Sequence, residues 1–397
     1  MEINNLCRND ETDNDAKDSC ANLKKSIPLL NELFHVHCKI GKGTFSSVYL
    51  ATLKSSNRPK KFALKHLIPT CHPDRIEREL QCLQQMGGKD HIVGVDLCLR
   101  NQGSVVFVMP YMRHDKFSEY VKDMTVEETK DYMRALLSAV RRVHQFNIIH
   151  RDVKPSNFLY DRTNRKYLLV DFGLAQQCTE YNAENSKTMK EINEGTTEIQ
   201  SMKQKRSDEN NVSFQLNSNT AKDADNKCYC FGKPKVCTLC LTKPSQTAPR
   251  AGTPGFRAPE VLLKHPSQTS AIDIWACGVM MLCILSGTQV FFRSPDDCTA
   301  LAEITTIFGS QKVQKCAQKL GKKVIFSENL PGIDIMSLCL KLRKRNRSMT
   351  HDRENSKVLP NIEYPMEAYH LLTKFLDLNY NTRITAEQAL SHPFLSL

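Results

Sequence analysis

The sequence predicts an α+β chain in two lobes, a small, mostly β N-terminal lobe and a larger, mostly helical C-terminal lobe. Apolar stretches at 35–40, 48–51 and 61–67 are separated by Gly-rich and Ser/Asn/Pro-rich turns, the pattern of successive strands. Ile76, Leu80 and Leu83 repeat at helical spacing over 75–86, and a short β-branched strand follows at 105–109. Residues 125–146 then read as a long helix with Tyr132, Leu136, Ala139 and Val143 on one face.

Residues 1–33 are expected to form a flexible leader. They begin polar and acidic, without the apolar core of a signal peptide. The small lobe with its connection runs over 34–112 and the large lobe over 113–397. At 397 residues, 40% hydrophobic and 25% charged, the chain has the size and composition of a two-lobed globular protein. The longest apolar run, at 274–285, is far short of a bilayer span, so the expected setting is the cytosol or nucleus. Sixteen cysteines are scattered from Cys7 to Cys339 and read as free thiols except where they cluster. A net charge of +12 suits acidic or phosphorylated partners, though a spread of solvated lysines would give the same sum.

Two stretches interrupt the pattern. Residues 178–227 are rich in Asn, Ser, Thr, Glu and Lys, with too few apolar side chains to offset the entropy of ordering them. The region 310–365 is mixed, and its middle, 341–357, reads as a charged loop.

Gly41, Lys42, Gly43, Thr44, Phe45, Ser46 and Val48 lie between two strands, where glycines let the backbone close over phosphates with its amides pointing at them. Ser46 stands where a third glycine is usual in such loops, which stiffens the turn. Phe62-Ala63-Leu64-Lys65 would bring one lysine beneath that loop. Glu79 on the following helix is its natural ion-pair partner; Glu77 lies off the Ile76/Leu80/Leu83 face.

His150-Arg151-Asp152-Val153-Lys154-Pro155-Ser156-Asn157 decides among the remaining readings. Its residue types and spacing match the H-R-D-x-x-x-x-N catalytic loop, and here the chain resembles the protein-kinase family. The resemblance implies a bilobal kinase fold, binding of ATP with Mg²⁺, and transfer of the γ-phosphoryl group to a protein hydroxyl. Asp152 would orient the substrate hydroxyl, Asn157 would reach a Mg²⁺, and Lys154, typical of serine/threonine kinases, would neutralise the moving phosphoryl group. Asp171 of Asp171-Phe172-Gly173 would hold Mg²⁺. Ala258-Pro259-Glu260 would close the activation segment, with Glu260 paired to Arg383. Asp273 would anchor the catalytic-loop backbone, and Thr385 with Gln388 would cap the last helix.

The stretch from Asp171 to Glu260 is far longer than an activation segment needs. The insertion, 178–247, carries Cys228, Cys230, Cys237 and Cys240, a spacing that can wrap thiolates around one structural Zn²⁺, with Gly232 and Pro234 suited to the turn between the pairs. Free thiols in a loop are the plainer alternative.

Gly43–Thr52, Ala63–Thr70, Val153–Tyr160 and Ala248–Arg257, together with this insertion, closely resemble the cell-division-cycle-seven kinases, the catalytic subunits of DDK. That resemblance implies a Dbf-type regulatory subunit, a nuclear location, and phosphorylation of the MCM helicase at serine or threonine beside acidic or phosphorylated residues. Met109, Pro110, Tyr111 and Met112 would be the hinge around the adenine, with Met109 at the back. Arg250 and Arg257, flanking Thr253, would read an acidic or phosphorylated residue next to the target serine, because a guanidinium grips such groups in a bidentate way. Bracing of the activation segment against an internal carboxylate is the plainer reading for each arginine.

A pseudokinase scaffold is the competing reading from another class, and the presence of Lys65, Asp152, Asn157 and Asp171 argues against it. A casein-type or cyclin-dependent kinase with another partner is the alternative within enzymes. Lys341-Leu342-Arg343-Lys344-Arg345-Asn346-Arg347 suits a nuclear-localisation signal or a solvated loop. No nucleic-acid-binding signature surrounds it, and neither direct nucleic-acid binding nor a membrane segment is expected.

Overall fold

The small lobe is built on β1 (Phe34–Lys42), β2 (Ser46–Leu53), β3 (Lys61–Leu67), β4 (Leu97–Asn101) and β5 (Ser104–Pro110), an antiparallel sheet in the order β1-β2-β3-β5-β4. The structure is a computed structural model and describes residues 13–43, 46–55, 60–67, 73–178, 251–351 and 360–396. These lie in one compact unit. Lys65 pairs across the sheet with Val48 on β2 and Phe107 on β5, and Ala63 pairs with Met109.

Side chains alternate across these strands. Phe62, Leu64, Val106 and Val108 face outward into one apolar cluster. Val105, Phe107 and Met109 face the main core shared with the helix Pro73–Met86 and the large lobe. The same period puts Ala63 and Lys65 on the inner side, toward the cleft between the lobes.

The outward cluster is closed by residues 13–33 of the segment expected to be a flexible leader, and over these the expectation is corrected; residues 1–12 lie outside the described residues. Helices Asp13–Ser26 and Pro28–Leu33 bury Cys20, Leu23, Ile27 and Leu30 against Phe34, Val36, Tyr49 and Leu64. Without them the outer face of the sheet would expose a large apolar surface.

In the large lobe, helices Phe117–Tyr120 and Val126–Gln145 precede the short strands β6 (Ile148–Ile149), β7 (Phe158–Asp161), β8 (Lys166–Leu169) and β9 (Gln176–Gln177). β7 pairs with β8 and β6 with β9, so the ends of these small ribbons fix the two sides of the catalytic loop. Beyond Ala251 come a 3₁₀ turn Pro254–Phe256 and helices Pro259–Leu262, Ala271–Ser286, Asp297–Phe308, Ser310–Lys319, Ile335–His351, Met366–Phe375, Ala386–Leu390 and Pro393–Ser396. The apolar run at 274–285 lies in helix Ala271–Ser286, which is buried on every side. The Thr385/Gln388 capping box starts helix Ala386–Leu390. No helix among the described residues is long and apolar enough to cross a membrane.

The charged loop expected at 341–357 is also corrected over 341–351, while 352–357 lie outside the described residues. It begins as the helix Ile335–His351, and Arg343 is buried, donating from Nε to Leu285 O at 3.0 Å and from Nη2 to Ile284 O at 2.6 Å. A guanidinium there caps the carbonyl end of helix Ala271–Ser286, so one of the basic residues of 341–347 is a core brace. Cys38, expected to be a free thiol, is disulfide-bonded.

Candidate active site

β3 carries Lys65 into the cleft, where its buried ammonium meets two carboxylates. Glu79, on the buried face of helix Pro73–Met86, accepts one hydrogen bond, and Asp171 Oδ1 lies 2.7 Å away. Glu77 is exposed on the same helix. Burial alone would lower the Lys65 pKa, but Glu79 and Asp171 outweigh it and raise it. Asp171 is opposed by its own desolvation, yet Lys65 holds its carboxyl down to about 2. The cluster therefore carries a fixed cation and an ionised Asp171 at neutral pH.

The catalytic loop is held from behind. His150 N and Arg151 N each donate to Asp273 at 2.8 Å, and His144 Nε2 reaches the same carboxylate at 2.9 Å. Asp273 is fully buried, and these donors overcome its desolvation and keep its pKa below the ordinary value. The His150 ring packs edge-on to Phe172 with centroids 4.8 Å apart. Its Nδ1 accepts from Asp152 N while Nε2 donates to Val170 O, which sets the neutral tautomer.

Asp152 is the meeting point of the loop. Oδ2 accepts from Lys154 Nζ at 2.8 Å and Asn157 Nδ2 at 2.9 Å; Oδ1 accepts from Thr253 Oγ1 at 3.0 Å. Lys154 also donates to Thr253 Oγ1 at 2.8 Å, closing a triangle between catalytic loop and activation segment. Both hydrogens of the Asn157 amide go to Asp152, one to its backbone carbonyl. The amide oxygen of Asn157 is left as an acceptor.

Lys65, Glu79, Lys154, Asn157 and Asp171 line a cleft of about 460 Å³ together with Gly41, Lys42, Gly43, Ser46, Val48 and Ala63, and with Met109, Pro110, Tyr111 and Met112 at the strand-β5 exit. Thr44 and Phe45 lie outside the described residues. Ile40, Val93, Leu159 and Leu168 also line it; single apolar residues carry no mark of such a role in sequence. A carboxylate and an amide oxygen beside one cleft form a hard-oxygen donor set, which fits Mg²⁺. Lys65 adds a cation for phosphate oxygens.

Arg257 is placed otherwise than expected. Its Nη1 lies 2.6 Å from Asp297 Oδ1, its Nε donates to Ala251 O at 3.2 Å, and its Nη2 donates to Gly252 O. The side chain is 11% exposed, so the guanidinium braces the activation segment and does not open onto a peptide. Arg250 and the zinc candidates Cys228, Cys230, Cys237 and Cys240 lie outside the described residues. Among the described residues, no group of three or more His, Cys, Asp or Glu could hold a metal ion.

The activation segment is welded at its far end. Arg383 grips Glu260 through two contacts, at 2.7 and 3.0 Å, with both groups buried and the guanidinium stacked over Trp275. Sequence reasoning missed His144 and Asp297. Each acts through a partner distant in the chain, 129 and 40 residues away, and nothing local marks either residue.

Comparison with known proteins agrees with this geometry. The protein kinase domain family matches residues 34–208 and 231–395. The chain is 34% identical to the non-specific serine/threonine protein kinase Cdc7 of Drosophila melanogaster, over 96% of this chain and 77% of the relative. It is 34% identical to the human cell division cycle 7-related protein kinase, over 94% of this chain and 91% of the relative. The cell cycle protein kinase spo4 of Schizosaccharomyces pombe is 31% identical over 97% of this chain and 90% of its own length.

Proposed function

Because this chain belongs to the protein kinase family, and within it to the Cdc7-type serine/threonine kinases of cell division, we propose that it phosphorylates serine or threonine beside acidic or phosphorylated residues to trigger DNA replication. In this reading it works in the nucleus on the MCM helicase, activated by a Dbf-type regulatory subunit. Family membership implies ATP and Mg²⁺ as co-substrate and cofactor.

The observation that carries the reading is the convergence of Lys154 and Thr253 on Asp152. A substrate hydroxyl brought to Asp152 beside Thr253 would have its proton accepted by the carboxylate and its oxygen aimed toward the phosphates. Lys154, a hydrogen bond away, would neutralise charge building on the phosphoryl oxygens. Lys65 would hold the phosphates already in the cleft, with Glu79 fixing its direction. Bound Mg²⁺ would supply neutralisation of the phosphate charge, with Asp171 and Asn157 as its protein ligands. Cys228, Cys230, Cys237 and Cys240 would bind one structural Zn²⁺ and pin the insertion. Arg250 would read the acidic flank of the target.

The test is purification of the chain with whatever protein accompanies it from dividing cells, followed by assay on serine peptides bearing Asp, phosphoserine or Ala beside the target. Transfer with Mg²⁺ and ATP, favouring the first two peptides, is the expected result. No transfer to any of them would overturn the reading.

A further inference from the structure

A second groove, of about 680 Å³, runs from the catalytic loop toward the outer surface of the large lobe. Lys154 and Thr253 stand at its inner end, so a polypeptide presenting a hydroxyl to Asp152 would continue along it. Its side walls are the segment before helix Phe117–Tyr120 and the loop between helices Ala271–Ser286 and Asp297–Phe308. Phe256, Phe292 and Val290 form apolar floor, and Val290 is 43% exposed although it lies in a concavity.

The charges on this groove are one-sided. His114, Lys116, Lys154 and Arg293 line it with a single carboxylate, Asp115. Asp115 Oδ2 already accepts from Arg162 N at 3.0 Å, and Lys154 is paired with Asp152. Among the described residues, Lys116 and Arg293 have no ion-pair partner, and both side chains are exposed in the groove walls.

Their backbones are nevertheless fixed. The Glu119 carboxylate accepts from Lys116 N, and Phe117 anchors the next position edge-on to Tyr120. Arg293 N donates to Glu303, which also takes the Ser294 hydroxyl, and Phe292 is buried beside it. A Cβ on Gly255 would stand 2.6 Å from Phe292 O, so the Arg293 loop is locked against the turn that follows Thr253. Two flexible cations on rigid stems, beside the phosphoacceptor position and without carboxylates of their own, are arranged to take one from outside.

We infer that Lys116 and Arg293 are specificity-determining residues that bind acidic or phosphorylated side chains of the substrate flanking its target hydroxyl. This rests on the acidic-substrate reading above and deepens it. The engagement of Arg257 by Asp297 makes these two cations the ones best placed, among the described residues lining the groove, to read an acidic flank.

The test uses the full chain as purified with its accompanying partner. Peptides carry a single serine, with Glu placed in turn at each of the flanking positions of an otherwise alanine sequence. Wild type is expected to favour Glu over Ala at particular positions. In Lys116→Ala and Arg293→Ala that Glu/Ala ratio of kcat/KM falls about tenfold at one position each, through KM, the size of one charge-assisted hydrogen bond. Arg293→Glu then favours Lys over Glu at its position. If wild type prefers Glu and no variant changes the ratio at any position, the inference is overturned while the acidic-substrate reading stands. If wild type itself shows no preference for Glu, that reading falls and this one with it. An equal loss on every peptide, alanine included, assigns the two residues to the fold and also overturns the inference.

Discussion

Lys65 Nζ lies 2.7 Å from Asp171 Oδ1, although 106 residues separate them in the chain. The contact joins the small lobe to the start of the activation segment, and Glu79 completes it from helix Pro73–Met86. Lys65 and Glu79 are both buried, so loss of Lys65 leaves the Glu79 carboxylate in the interior without its cation.

This cluster has a definite pH signature. Asp171 is held down to about 2, below the ordinary aspartate value of 3.8. A depressed carboxyl adds stability above its unfolded pKa and loses it as pH falls through its folded value. The difference in urea midpoint between wild type and Asp171→Asn is therefore expected to be flat from about pH 5 to pH 8 and to shrink in more acid solution. A difference that changes across the neutral range would mean that another group governs the pair.

Gly252 combines φ of +85° with a position where a Cβ would stand 2.5 Å from Arg151 O. Gly252→Ala is expected to cost about 1–3 kcal/mol of stability, the price of a strained backbone, and to push Thr253 off Asp152. Thermal unfolding and kcat measured together check this. A variant with wild-type kcat would show that the close approach of the activation segment to the catalytic loop is not needed.

Leu23 and Leu30 are 1% and 0% exposed beneath the outer face of the sheet. Leu23→Ala and Leu30→Ala should each destabilise the protein by about 2–5 kcal/mol, the usual cost of emptying such a site. Denaturant unfolding gives the answer, and unchanged midpoints would return the segment to the role of a loose leader.

Zinc is decided by elemental analysis of protein purified without chelator. About one equivalent is expected for a closed thiolate site, lost in the Cys237→Ser/Cys240→Ser double variant. Metal-free wild-type protein would leave the four cysteines as free thiols.

The two lobes and the catalytic cluster were legible because their signals are local. An apolar stretch between turns marks β3 and a β-branched run marks β5, and fixed spacing ties Asp152 to Lys154 and Asn157. The N-terminal helices were missed because polar composition outweighed a sparse pattern, although Cys20, Leu23, Ile27 and Leu30 do recur at helical spacing. Helix Ile335–His351 was missed because its basic residues read as solvated, while Arg343 is buried by contact with carbonyls 58 and 59 residues away. The position of Arg257 depended likewise on Asp297, whose role no nearby residue announces.

The central claim is that Asp152 positions a serine or threonine hydroxyl for phosphoryl transfer. Single-turnover transfer from ATP to an acidic serine peptide, compared between wild type and Asp152→Asn and paired with nucleotide affinity, tests it most directly. The account predicts a rate lowered by about 10²–10⁴-fold with nucleotide affinity kept, because in the proposed mechanism Asp152 would meet the hydroxyl while Lys65 and Asp171 would meet the phosphates. Transfer by Asp152→Asn at the wild-type rate, or loss of nucleotide binding in step with the rate, would contradict it.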